Sequence, residues 1–314
     1  MKRRQALVLL AATAAAPRAF ASAAKLPVAA EAPFSMAEVA LGIHVRHGVH
    51  EDATQANDDA IANIGFIVGD DAVAVIDPGG SRTDGMRLRA SVRAVTDKPI
   101  RYLILSHMHP DHAFGASAFE VDAPTVVGHV RMRAILVDRG EFYRGRLSDV
   151  LGREEAGDYA VPDMLVTQSA TIDLGRRLLE LRAHGTAHTD NDLTVFDRNT
   201  STLWAADLLF VERVPAIDGS ILGWLKEIEA LRTIPADRVV PGHGPVSLPW
   251  PAATADEERY LRTLTREIRA IIARGGDIET AVATVGLSER GRWALFDDYN
   301  GRNVTSAFKE LEWE

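Results

Sequence analysis

Four side chains able to hold a metal fall within six residues in His107-Met108-His109-Pro110-Asp111-His112, directly after the apolar run Tyr102 to Leu105. His107 and His109 share one side of an extended segment, because side chains alternate with period two. Asp111 and His112 lie beyond Pro110, where the chain turns towards a helix, and can address a second ion. A solvated polar loop is the bland alternative, and so tight a cluster of ligand types argues against it. One cluster is too small for two metals, so further ligands are expected at the ends of other strands.

Three residues meet that description. His188, in His184-Gly185-Thr186-Ala187-His188-Thr189-Asp190-Asn191-Asp192, follows the run Leu178 to Ala183. Asp207 follows Leu203 to Ala206, and His243, in Pro241-Gly242-His243-Gly244, follows Arg238 to Val240. Singly, each has an ordinary explanation, as a loop histidine or, for Asp207, a helix cap. Their joint placement after buried strands gives them weight. The chain has no cysteine, which excludes disulfides, thiolate ligands and cysteine nucleophiles together, so any metal is held by His, Asp or Glu. His44, His47 and His50, three apart and without a carboxylate cluster, read as a helix face or surface turn, and His129 as structural. His184 is close enough to His188 to orient it or to touch a substrate.

The elements that must position these residues alternate between β and α. Apolar or β-branched runs at Asn63 to Val68, Ala72 to Ile76, Tyr102 to Leu105, Thr125 to Val127, Leu178 to Ala183, Leu193 to Phe196, Thr202 to Ala205 and Arg238 to Val240 read as strands. Leu222, Leu225, Ile228 and Leu231 fall on one face of a helix. After Pro249 and Pro251, Thr254-Ala255-Asp256-Glu257 reads as a capping box. Tyr260, Leu261, Leu264, Ile268, Ile271 and Ile272 form an apolar helix face closed by Gly275-Gly276. Glu141 to Ala160 is polar and Gly-punctuated, which suits a loop or short helices at a site mouth.

Residues 1–21 read as an export signal: Lys2, Arg3 and Arg4 precede the apolar run Ala6 to Ala16, and Ala19-Phe20-Ala21 is a small-x-small cleavage site. That run is about half of the ~20 residues needed to cross a bilayer. Arg3-Arg4 resembles a twin-arginine signal, so a periplasmic or secreted location is expected, with no stable membrane insertion after cleavage. Residues 22–40 read as a tether, 41–250 as the folded body and 251–314 as a helical extension of it. Cleavage removes four basic and no acidic residues, which takes the formal charge from −9 to −13. So acidic a chain is a poor match for nucleic acid or anionic lipid.

The set HxHxDH, His188, Asp207 and Pro-Gly-His-Gly, with Asp77-Pro78-Gly79-Gly80 after an earlier strand, resembles the metallo-β-lactamase superfamily over Leu41 to Leu248. The resemblance implies an α/β fold, a four-layer αβ/βα sandwich with the C-terminal helices packed on it. It implies two zinc ions: His107, His109 and His188 on the first, Asp111, His112 and His243 on the second, Asp207 bridging both, and Asp77 steadying a ligand histidine. His109, where the di-iron flavoprotein branch has Glu, and the full set Asp111, His112 and His243 favour the zinc branches. The export signal, the stretches His188 to Leu193 and Trp204 to Arg213, and Asn300-Gly301-Arg302-Asn303-Val304 look like the periplasmic quinoprotein relay system zinc metallohydrolases. A quinoprotein dehydrogenase is then an implied pathway partner.

The implied activity is hydrolysis of a small-molecule carbonyl substrate, an ester, lactone, thioester or lactam, by water that the metals acidify. Asp111 would relay a proton to the leaving group and Asn191 would donate to the developing oxyanion. Glu141 to Ala160 and Phe210 to Gly223 are expected to shape the pocket, with Phe142, Tyr143, Phe210 and Trp224 as walls. The rival reading is a non-catalytic periplasmic accessory protein that binds metal or quinone.

Overall fold

The computed structural model describes residues 32–314; the expected export signal and most of the expected tether lie outside the described residues. The first sheet takes seven strands in sequence order: β1 (Ala37–Ala40), β2 (Ile43–Arg46), β3 (Ile64–Val68), β4 (Val73–Ile76), β5 (Ile100–Ile104), β6 (Thr125–His129) and β7 (Met164–Val166). Pairings up to β4 are antiparallel and those from β4 onward are parallel. Parallel neighbours need crossovers. These are α1 (Arg82–Val95), the short α2 (Pro110–Ala113) with a 3-10 turn after it, and α3 (Met132–Leu151).

The second sheet runs β8 (Ser169–Asp173), β9 (Leu178–Ala183), β10 (Leu193–Asp197) and β11 (Thr202–Phe210) as antiparallel neighbours. After α4 (Ile221–Leu231) comes β12 (Arg238–His243), parallel to β11, and then the edge strand β13 (Leu248–Pro249). Helices α5 (Ala255–Ile272), α6 (Ile278–Thr284) and α7 (Phe296–Leu311) complete the chain.

Successive strand residues bury opposite faces. Ile76 and Trp204 lie between the sheets with Ile67, Ile104, Leu181 and Val195. Their chain neighbours face outward: Val75 meets Leu88 and Val92 of α1, and Leu203 joins the cluster holding Trp224 of α4, Leu264 of α5 and Val304 of α7. Both faces of both sheets are therefore covered, which is why the strands read as continuous apolar runs. The result is the four-layer αβ/βα sandwich implied by the resemblance, with α5 and α7 on its outer face. Among the described residues no helix is long and apolar enough to cross a membrane.

Three local expectations are corrected. The tether gives way to ordered chain before residue 40. The Phe34 N–H donates to Ser91 Oγ at 2.8 Å, Arg87 lies over the Phe34 ring, and β1 pairs with β2. Glu141 to Ala160 is not a loop over its first half but the end of α3; its buried stripe passes through Gly140, which meets Tyr159, so hydrophobicity alone does not mark it. The capping box does not form. Thr254 ends a 3-10 turn with helical φ/ψ, where an N-cap needs extended backbone. The carboxylate of Glu257 instead accepts the Phe210 N–H at 2.9 Å, tying α5 to the end of β11.

Candidate metal centre

The seven predicted ligands converge where the two sheets meet. Past β5, the Leu105 N–H donates to Val127 O and Ser106 O accepts the Leu193 N–H at 2.8 Å, so the motif leaves the first sheet already fastened to the second. His109 then caps α2 and Pro110 occupies its first turn, where a fixed φ and a missing N–H cost nothing. His188 lies in the β9–β10 loop, braced by Thr189, whose hydroxyl donates to Asp192 at 2.6 Å. His243 is the last residue of β12.

Asp207 is placed differently from the expectation: it lies inside β11 and not at its end. The strand register shifts on either side of Ala206, whose φ is 46°. Such a bulge re-aims the next side chain. Gly242 on the parallel neighbour makes room for it, since a Cβ there would stand 1.8 Å from Asp207 Oδ1.

Each imidazole turns one nitrogen inward and commits the other to an oxygen. His107 Nδ1 meets Ser106 Oγ at 3.0 Å, His112 Nδ1 meets Asp77 Oδ2 at 2.8 Å, and His188 Nδ1 meets Ala216 O at 2.7 Å. His243 Nδ1 meets Ile61 O at 3.0 Å, and His109 is reversed, its Nε2 meeting Asp218 Oδ2 at 3.2 Å. Ser106 Oγ donates to Asp77 Oδ2, so it accepts from His107 and fixes that ring's tautomer. The inward atoms crowd together: His109 Nδ1 lies 3.0 Å from His107 Nε2 and 2.9 Å from His188 Nε2. Three lone pairs that close repel unless a cation lies between them.

Asp207 joins that group to the second. Its Oδ2 is 3.7 Å from His107 Nε2, 3.3 Å from His188 Nε2 and 3.4 Å from His243 Nε2. Its Oδ1 is 2.9 Å from His112 Nε2, yet the two are not aligned as a hydrogen bond and neither has another partner. Asp111 Oδ2 stands 3.4 Å from His243 Nε2 and 3.7 Å from His112 Nε2. Within each group, His107, His109, His188 and Asp207 or Asp111, His112 and His243, the ligand atoms lie within 4.8 Å of one another. Nitrogen and carboxylate donors with second nitrogens held by outer oxygens fit zinc.

The electrostatics favour positive charge at the centre. Burial would lower the pKa of His112, but Asp207, Asp111 and Asp77 raise it well above the usual range. Burial likewise opposes ionisation of Asp207 and Asp111, and His112 is the first of the neighbours that hold both below the ordinary carboxylate value. Burial dominates at His107, which is lowered strongly, and at His188, which falls to about 4. His109 is raised in spite of burial, chiefly by its hydrogen bond to Asp218. Two buried carboxylates, with His112 driven towards the protonated form between them while His107 and His188 are kept neutral, make a centre that draws positive charge.

The centre floors a cleft of about 340 Å³. Phe210, Val214, Ala216 and Ile217 line one side, as expected of the Phe210 to Gly223 segment, and α7 contributes the other through Tyr299, Arg302, Asn303 and Ser306. Glu141 to Ala160 does not line it. Tyr143 only approaches the His109 ring edge-on at 6.5 Å, and Phe142 is exposed. Trp224 is buried beneath His188, 5.3 Å between rings. Asn191 is buried and is not among the lining residues; its Nδ2 donates to Asp190 Oδ1 at 3.1 Å, and its Oδ1 has no partner. His184 is held by Glu227 and Thr194 and orients no ligand. His44 stacks on Phe66, and His129 Nδ1 accepts the Arg131 N–H.

A model of the metallo-beta-lactamase superfamily matches residues 57–243, more than half of the chain and all seven ligand positions. The chain belongs to that superfamily. Among curated proteins it is similar to a linear primary-alkylsulfatase of Pseudomonas sp. (strain ATCC 19151), 23% identical over 239 residues, 64% of this chain and 44% of that one. It thus spans less than half of that relative's length. A metallo-beta-lactamase from Pontibacter korlensis superposes with a TM-score of 0.59 at 16% identity, over 73% of this chain and 98% of that one. A double mutant of the sec-alkyl sulfatase PisA1 gives 0.61 at 17% identity, over 79% of this chain and 44% of that one. These likenesses show a shared fold.

Ser106 and Asp218 were not singled out from sequence, being residue types that hold no metal in the first case and a lone loop acid in the second. Asp218 offers a clean test. Asp218→Ala frees His109 Nε2 at a half-exposed position, and zinc affinity is expected to fall about 10-fold, the low end for a lost outer partner. Competition against a chromophoric chelator measures it, and an unchanged affinity would show that His109 needs no orienting acid.

Proposed function

We propose that the protein is an exported dinuclear zinc hydrolase of small carbonyl substrates. The observation that carries this is Asp207, whose two oxygens face histidines of both ligand groups. His107 Nε2, His109 Nδ1 and His188 Nε2 would hold one ion, Asp111, His112 and His243 the other, with Asp207 shared. Bound there, the ions would supply Lewis acidity and water acidified towards neutral pH.

The chain's own residues do the rest. Asp111 is the more exposed of the two carboxylates, 13% against 4% for the Asp207 side chain, and is the one placed to pass a proton from the attacking water to the substrate's leaving group. Phe210 and Ile217 give the cleft an apolar wall that limits water around the bond to be cut. His188 and His243 are backed by the Phe210 ring, which keeps their planes fixed. A sulfate ester is a second reading, favoured by the alkylsulfatase relative.

We also infer membership of the quinoprotein relay system metallohydrolases, supported by the stretches His188 to Leu193, Trp204 to Arg213 and Asn300 to Val304. A zinc-loaded preparation is expected to hydrolyse at least one class in a panel of lactones, thioesters, cephalosporins and sulfate esters, with turnover lost in His109→Ala. Complete inertness, together with tight binding of a quinone or of a dehydrogenase, would favour the accessory-protein reading instead.

A further inference from the structure

Two guanidinium groups stand in the cleft wall beside the ligand cluster. Arg213, six residues beyond Asp207, has a side chain only 6% exposed. It donates from Nη1 to Glu51 O at 2.9 Å, and the nearest carboxylate, Asp52, is 3.9 Å away and mostly solvated. Arg302 comes from α7 and is exposed; among the described residues it has no carboxylate partner. Both flank the ring of Tyr299, their Cζ atoms 5.7 and 5.3 Å from its centroid, and Asp52 accepts a hydrogen bond from the Tyr299 hydroxyl.

A near-buried cation without a close counter-ion is unfavourable. The exposed guanidinium of Arg302 alongside it, next to a centre that draws cations, adds to this, because like charges repel across a low-dielectric cleft. The same cleft holds Asp111, Asp207 and Asp218, but the first two face the ligand cluster and Asp218 is paired with His109, so none of them answers either guanidinium. A bound anion relieves the repulsion, and the planar Arg fork matches carboxylate or sulfate geometry. We propose that the substrate carries an oxyanion group, a carboxylate or sulfate, that seats against Arg302 and Arg213 while its scissile bond lies over the ligand cluster. The position of the scissile bond rests on the hydrolase reading; the anion binding does not.

The test compares p-nitrophenyl hemiglutarate with its neutral methyl ester on zinc-loaded full-length protein. Wild type is expected to prefer the charged ester, and Arg302→Gln to shrink that ratio of kcat/KM by about tenfold or more, mainly through KM. Arg302→Glu should reverse the preference. Arg302 is exposed, so folding is not at issue as it would be for Arg213. Calorimetric binding of N-phenylglutaramic acid, which is not turned over, supplies the second readout. Binding to wild type that is lost in Arg302→Glu, with neither ester cleaved, would sustain the anion site and remove the hydrolase reading. Both esters cleaved at a ratio that Arg302→Glu leaves unchanged would overturn the anion site and keep the hydrolase; binding to neither protein, with no ester cleaved, would overturn both.

Discussion

Asp207→Ala is expected to lower kcat/KM by about three orders of magnitude, because one carboxylate serves both ligand groups. Its oxygens face His107, His112, His188 and His243 at 2.9 to 3.7 Å, a set no single imidazole can replace. The loss has two parts: the shared anion disappears, and the imidazole crowd around it loses the charge that makes metal entry favourable. Asp207→Asn separates them, since it keeps the shape against Gly242 and removes only the charge. Steady-state kinetics of both variants on the best substrate of the panel checks this. Activity within tenfold of wild type for Asp207→Ala would mean that the two groups work apart.

Removing metal should have the second large effect. Dialysis against dipicolinate is expected to abolish turnover and to lower the melting temperature, and added zinc to restore both. At free zinc about 1,000 times its dissociation constant, binding to the folded chain alone contributes about 4 kcal/mol of stability. The cause is local: seven candidate ligands from the β5–α2 loop, α2, the β9–β10 loop, β11 and β12 are drawn to one point, so ions held there would fasten the two sheets across their shared edge. Magnesium should not substitute, since it prefers oxygen ligands and keeps its waters, and this centre is mostly imidazole. A melting curve indifferent to chelator would contradict the assignment.

What could be read from sequence follows the range of the interaction. The ligand motif is contiguous and ends an apolar strand, so residue type and spacing were enough for His107, His109, Asp111 and His112. His188, Asp207 and His243 needed only the habit of functional residues to follow strands. The bulge at Ala206, which places Asp207 within a longer strand, has no local signal, because its cause is the packing of β12's Gly242 against it. Helix α5 was legible from its apolar face, but Glu257 was misread as a cap, since its partner Phe210 is distant in sequence. The same limit hid the cleft wall. Periodicity reports which face of α7 is buried, and gives no hint that Tyr299, Arg302 and Ser306 on its other side look onto the ligands. Asn191, chosen for its place beside His188, is buried and donates to Asp190 instead of lining the cleft.

The most direct test of a two-metal centre joined by Asp207 is the metal content of the purified protein by mass spectrometry under native conditions. Wild type is expected to carry two zinc ions per chain, and Asp207→Ala no more than one, held weakly. A single ion in wild type, still bound with equal affinity in Asp207→Ala, would contradict the account.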